Sequence, residues 1–95
     1  MKNLYTIRDV LIGFGIQSPA VIDLPNDQVA KRVVAGSVAK GAQPNILNSN
    51  PEDKELWCIG SFDENTGKIV ACEPRLVCKV VDFLGKEEVV DDKSN

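Results

Sequence analysis

Ninety-five residues suit one small domain, and a hydrophobic share of 43% is enough for a core, though a thin one. The net charge of −3 excludes a broadly basic surface of the kind that sequence-independent nucleic-acid binding draws on, leaving only a local patch open to that role. The absence of histidine removes Ser-His and Cys-His catalysis and the commonest metal ligand, and three cysteines are an odd number for a disulfide framework. Reduced thiols in a cytoplasm are the simpler expectation. No run of about 18 apolar residues is present, so no membrane-spanning helix is expected, and no signal-peptide core precedes the first strand-like segment.

In chain order, residues 3–8 read as a first strand, because Leu4, Tyr5, Thr6 and Ile7 all favour extended backbone. Arg8-Asp9 is a charged pair where the strand leaves the sheet. Residues 10–15 either extend it or begin a loop, with Gly13 and Gly15 marking a bend or bulge. Residues 16–25 form an extended connection broken by Pro19 and Pro25. Asn26 or Asp27 is then a plausible N-cap. Ala30, Val33, Val34, Ser37 and Val38 fall on one face of an α-helix that should end at Lys40-Gly41. Gly36 inside it costs about 1 kcal/mol relative to alanine, so the helix needs tertiary support.

Residues 42–54 are rich in Asn and Pro and read as a loop. The runs 55–62 and 68–73 then flank Asp63-Glu64-Asn65-Thr66-Gly67 as a β-hairpin, with the chain's single tryptophan, Trp57, on its first arm. Pro74 is expected to end the second arm. Residues 75–84 suit either a short helix or a strand, and the helix is preferred because Leu76, Val80, Phe83 and Leu84 would share a face. The chain thus reads as an α+β domain over 1–85. A small antiparallel sheet, made of the N-terminal strand and the hairpin, packs against one amphipathic helix, and a short C-terminal helix or strand follows. Residues 86–95 form an acidic tail expected to be disordered.

The chemistry-bearing residues are few. A five-residue hairpin loop would place Phe62 opposite Lys68 and so Cys58 opposite Cys72, either as two small apolar groups in a sheet or as a redox-linked pair, whereas a four-residue loop would shift the register and remove this pairing. The acidic pairs Glu52/Asp53, Asp63/Glu64 and Asp91/Asp92 fit loops, a turn and a tail better than general acid–base work. Asp63-x-Asn65-x-Gly67 lacks the rest of a calcium loop, and Gly13-Phe14-Gly15 is too short to cradle phosphate. No catalytic residue, metal or cofactor is therefore expected. Lys31, Arg32 and Lys40 on the helix, with Arg75 and Lys79 on the segment after the hairpin, would hold a phosphate backbone if they converge. Tyr5 or Trp57 would then offer a stacking surface.

Two blocks carry a family resemblance. The opening Tyr5-Thr6-Ile7-Arg8-Asp9 and the run Pro51-x-Asp53-x-x-Leu56-Trp57-x-Ile59-Gly60-x-Phe62-Asp63-x-x-Thr66-Gly67-x-Ile69, followed by Pro74, resemble the small nonstructural protein of gokushovirus-type microviruses, bacteriophages with circular single-stranded DNA genomes. The Val-rich segment 76–84, Cys78 and the acidic tail depart from that pattern. The resemblance implies a non-virion, non-enzymatic protein of the host bacterial cytoplasm that serves genome replication or packaging. It brings no active site with it. The expected partner is single-stranded DNA or a viral replication protein, with Tyr5, Arg8, Lys31, Arg32 and Trp57 as the DNA-contacting residues and a homodimer as a further assembly. The competing reading is a protein–protein adaptor or host-factor modulator with no nucleic-acid affinity, which the near-neutral body and acidic tail favour.

Overall fold

A computed structural model of the chain describes residues 1–84. The acidic tail expected over 86–95 lies outside these residues. Five strands and one helix follow in order: β1 (Lys2–Asp9), β2 (Gly13–Phe14), β3 (Ile22–Leu24), α1 (Asp27–Ser37), β4 (Lys54–Phe62) and β5 (Ile69–Lys79). Single turns of 3-10 helix at Pro51–Asp53 and Val80–Phe83 flank the β4–β5 pair. All pairings are antiparallel. β4 lies between β1 and β5, while β2 and β3 share the other edge of β1, β2 at its end and β3 at its beginning. The architecture is the expected α+β arrangement, with two short edge strands that the sequence pattern did not separate from loop.

Alternation along β4 sorts its residues between two faces. Lys54, Leu56 and Cys58 are buried, while Glu55 and Trp57 between them are half-buried. Leu56 and Cys58 join Tyr5 and Ile7 of β1, Cys78 of β5, Ala30 and Val34 of α1, and Leu47 and Val80, in one core. Helix α1 thus covers a single face of the sheet.

The helix starts as its sequence dictates. Asn26 adopts extended backbone and its Oδ1 accepts the amide of Val29 at 2.9 Å, satisfying one of the otherwise unpaired donors of the first turn. Its end differs from expectation, closing at Ser37 rather than at Lys40-Gly41. The side-chain amides of Asn45 and Asn48 donate to the Ser37 carbonyl at 2.8 and 3.2 Å, so the following loop takes over a C-terminal acceptor and stops the helix early. Val33, placed by periodicity on the inner face, is 42% exposed; only Ala30 and Val34 are fully buried.

The hairpin takes the four-residue alternative, and the segment after it departs from expectation. The Asp63 amide donates to Lys68 O at 2.9 Å and the Gly67 amide to Asp63 O at 2.7 Å, which leaves a four-residue loop and pairs Phe62 with Ile69. Beyond Gly60↔Ala71, the residues Cys72, Glu73 and Pro74 stand opposite the single residue Ile59, so Cys58 pairs with Arg75 and not with Cys72. The same bulge explains why Pro74 does not end the strand. It sits on an edge strand in a stretch that makes no regular ladder bond, where a missing amide hydrogen carries no penalty. Residues 75–79 therefore continue β5, and only Val80–Phe83 coil, as 3-10 helix instead of the preferred α-helix. Gly60 is required here, since a β-carbon on it would meet Val70 O at 2.5 Å.

Leu56, 1% exposed at the centre of the core, and Val33 make a contrasting pair. Leu56→Ala should lower the unfolding free energy by about 2–5 kcal/mol. Val33→Ala should change it by no more than about 0.5 kcal/mol. Urea denaturation of the two variants measures both.

Candidate nucleic-acid interface

The face of the sheet opposite α1 carries the outward residues of β1 and β4. Thr6 pairs with Trp57 and Arg8 with Glu55, so these four side chains share that face. Thr6 is covered by the strand-to-strand connection, its hydroxyl donating to Ala20 O at 2.8 Å. Arg8 and Trp57 remain partly accessible above the largely covered Glu55 and are joined by Phe14, which β2 places opposite Arg8. Phe14 meets Trp57 edge-on, with ring centroids 5.4 Å apart and planes at 80°. The Arg8 guanidinium lies 5.5 Å from the Phe14 centroid and 5.9 Å from that of Trp57, within cation–π range. Glu55 ties the group together: its Oε1 accepts from Arg8 Nη1 at 3.0 Å and from Trp57 Nε1 at 2.9 Å. The result is an aromatic–cationic cluster of fixed geometry, with Phe14 half exposed.

Of the residues expected at an interface, Arg8 and Trp57 are thus brought together. Tyr5 is not part of that surface. It is fully buried on the α1 side, its hydroxyl donating to Asp27 Oδ1 at 2.6 Å and accepting from Asn3 at 3.0 Å. Its ring is closed to any stacking partner. Lys31 and Arg32 are exposed on α1, across the sheet from Arg8 and Trp57, so one contiguous patch does not hold all four. Phe14 and Glu55 were missed. Glu55 reads as an ordinary strand carboxylate, and Phe14 is hidden in Gly13-Phe14-Gly15, where the paired glycines suggest a bend. A charged Asp9 four residues before Gly13 is the signal for a tight reversal that would have returned Phe14 alongside Arg8.

That reversal hangs on a buried ion pair. Lys54 Nζ lies 3.1 Å from Asp9 Oδ2, both side chains being nearly inaccessible, and also donates to the carbonyls of Ser49 and Asn50. The other Asp9 oxygen accepts the Leu11 amide at 2.8 Å, and the Ile12 amide reaches Asp9 O at 3.0 Å. The backbone hydrogen bond from Leu11, followed by the contacts to Lys54, holds the Asp9 carboxyl below its ordinary range. The turn it builds presents Leu11 and Ile12 to solvent, at 81% and 76% exposure.

Other cations are also held within the molecule. Arg75 makes a two-pronged contact with Asp27, at 2.7 and 3.2 Å, which lowers the Asp27 carboxyl, and Lys2 pairs with Asp23 at 3.4 Å. The cysteines are all free thiols. Cys72 Sγ lies 3.8 Å from the Cys58 carbonyl, so the two residues are neighbours despite the shifted register. Loss of solvent, with Cys58 close by, pushes the Cys72 thiol up, which makes its thiolate scarce at neutral pH. Among the described residues no group of three or more potential ligands is placed to hold a metal ion, no pocket is found, and no helix is long and apolar enough to cross a membrane.

The described residues form a small α+β protein with an aromatic and cationic cluster on the sheet face away from the helix. The chain belongs to the Phage ORF5 protein family, whose model matches residues 2–83, and so to a family of bacteriophage proteins. No curated protein and no solved structure matches it.

Two measurements test this geometry. Burial first, and the neighbouring Asp27 second, push the single tyrosine up from 10.0 to about 12. A folded-state value above the unfolded one contributes stability that is complete below pH 10.0 and is lost as pH rises through about 12. Phenolate absorbance should therefore show a midpoint near 12 in the folded protein, and Asp27→Asn should bring it only part of the way back, since desolvation remains. Separately, Lys54→Met strands the Asp9 carboxylate in the interior. Its urea midpoint should fall well below that of Lys68→Met, a change at the exposed hairpin loop.

Proposed function

We propose that this protein is a non-enzymatic accessory protein of a single-stranded DNA phage of the microvirus type, acting in the host cytoplasm in genome replication or packaging by contacting single-stranded DNA. The observation that carries the reading is the solvent-facing cluster of Arg8, Phe14 and Trp57. A base has a π-face whatever its identity, so an exposed aromatic edge beside a planar guanidinium binds single strands without reading sequence. Phe14 takes the stacking role first expected of Tyr5. Lys31 and Arg32, exposed on the opposite side, supply the phosphate contacts of a strand that passes around the domain.

The decisive experiment is fluorescence anisotropy of a labelled single-stranded oligonucleotide at low and physiological salt. Micromolar or tighter binding that weakens with salt is expected. Trp57→Ala and Phe14→Ala should each weaken it by about 1–3 kcal/mol, roughly 5- to 150-fold. Lys31→Ala with Arg32→Ala should flatten the salt slope by about 1.4 on a single strand. Affinity unchanged in the aromatic variants would overturn the assignment.

A second reading, an adaptor without nucleic-acid affinity, is favoured by one observation. Arg8, Lys2, Lys54 and Arg75 are each already paired with a carboxylate, so the guanidinium of the aromatic cluster itself is not free for phosphate. No oligonucleotide binding even at low salt would select it.

A further inference from the structure

We infer that the turn between β1 and β2 is a docking knob for a protein that offers an apolar pocket with a cationic rim. Leu11 and Ile12 are far more exposed than the remaining aliphatic residues of the sheet's first hairpin, and Val10 and Phe14 beside them are 41% and 52% exposed. Val10, Leu11 and Ile12 are three consecutive large apolar side chains open to water, and adjoining exposed apolar residues of this kind mark interaction sites on soluble proteins. A flexible loop would fold such residues back onto the core. This one is held outward by the Asp9 carboxylate, which takes the Leu11 amide, and by the Lys54 ammonium, which holds Asp9. The Val10 amide donates to Asp53 O at 2.9 Å, which fixes the base of the turn to the segment before β4. A buried ion pair is therefore committed to presenting two aliphatic side chains to water. Rigid presentation lowers the entropy lost on docking.

Charge selects the occupant. Around the knob, Arg8 is cancelled by Glu55 and Lys54 by Asp9. Glu52 and Asp53 remain, and among the described residues no cation lies within ion-pair distance of either. The hydrogen bond from Val10 to Asp53 keeps this charge within a Debye length of the turn. Such a rim repels a phosphate backbone. It also opposes a symmetric contact with a second copy, which would bring the same carboxylates face to face. What it complements is a protein whose pocket is apolar at the centre and basic at the edge. The surface is independent of the DNA-binding reading; the choice of probe rests on the proposed role in phage replication, since a protein that grips viral DNA must carry basic surface.

The test is binding of the purified replication initiator of the same phage to the full chain, followed by interferometry at two salt concentrations. The knob predicts binding that Ile12→Lys weakens roughly thirtyfold, the size of a hot-spot loss. Glu52→Lys with Asp53→Lys should weaken it further at low salt than at high salt. Ile12 and Glu52 are exposed and Asp53 half-buried, and an unchanged thermal midpoint certifies the fold. No binding of the initiator overturns the proposal, as does equal binding by Ile12→Lys. A dimer of the free chain that Ile12→Lys dissolves would assign the knob to a second copy. Loss of oligonucleotide anisotropy in Ile12→Lys would assign it to nucleic acid. The Trp57→Ala titration, at a residue outside the turn, reports on the DNA reading separately, so failure of one leaves the other standing.

Discussion

The ion pair between Asp9 and Lys54 is the interaction on which most of the structure hangs. The two residues face each other where β1 ends and β4 begins, and both are out of water. Buried charges persist only when paired and fully hydrogen-bonded, and this pair meets the condition by recruiting neighbours. Lys54 takes carbonyls of Ser49 and Asn50, which anchors the long loop after the helix; Asp9 takes the Leu11 amide, which shapes the turn into β2. The anchored loop in turn supplies Asn45 and Asn48 to the end of α1. The first hairpin, the loop and the helix terminus are thus set by one buried pair of opposite charges.

The two faces of the sheet are treated differently as a consequence. On the helix side, Tyr5, Asp27 and Arg75 form a closed chain of hydrogen bonds from β1 through the first turn of α1 to β5. That chain clamps the edge strand to the helix and withdraws the only tyrosine from solvent. On the other side, among the described residues, the connection over Thr6 covers part of the sheet, and β2 brings Phe14 against Trp57 beneath Arg8. One face is used for stability, and the other presents chemistry.

Internal pairing of charge also shapes what the protein offers to a partner. With a net charge of −3 and several cations satisfied within the fold, long-range attraction to a polyanion is weak. Contact must then come from short-range features, which are the aromatic cluster and the apolar turn. They lie at the same end of β1.

Local chemistry was legible in the sequence wherever one residue suffices to decide a conformation. Asn26 caps a helix because its side chain reaches the Val29 amide, and Gly67, at φ +77, completes the hairpin loop because it lacks a β-carbon. Strand-prone runs became β1, β4 and β5, and the family resemblance pointed correctly to a phage protein. Tertiary structure alone decided which residues meet. Register depends on bulges whose energy comes from packing on both sides of a strand, and a slip of one residue exchanges its faces. The bulge at Ile59 therefore moved Arg75 opposite Cys58, carried β5 past Pro74 and aimed Arg75 at Asp27, none of which is encoded within any single segment. The same holds for Tyr5, whose aromatic ring suits a stacking surface until the helix closes over it.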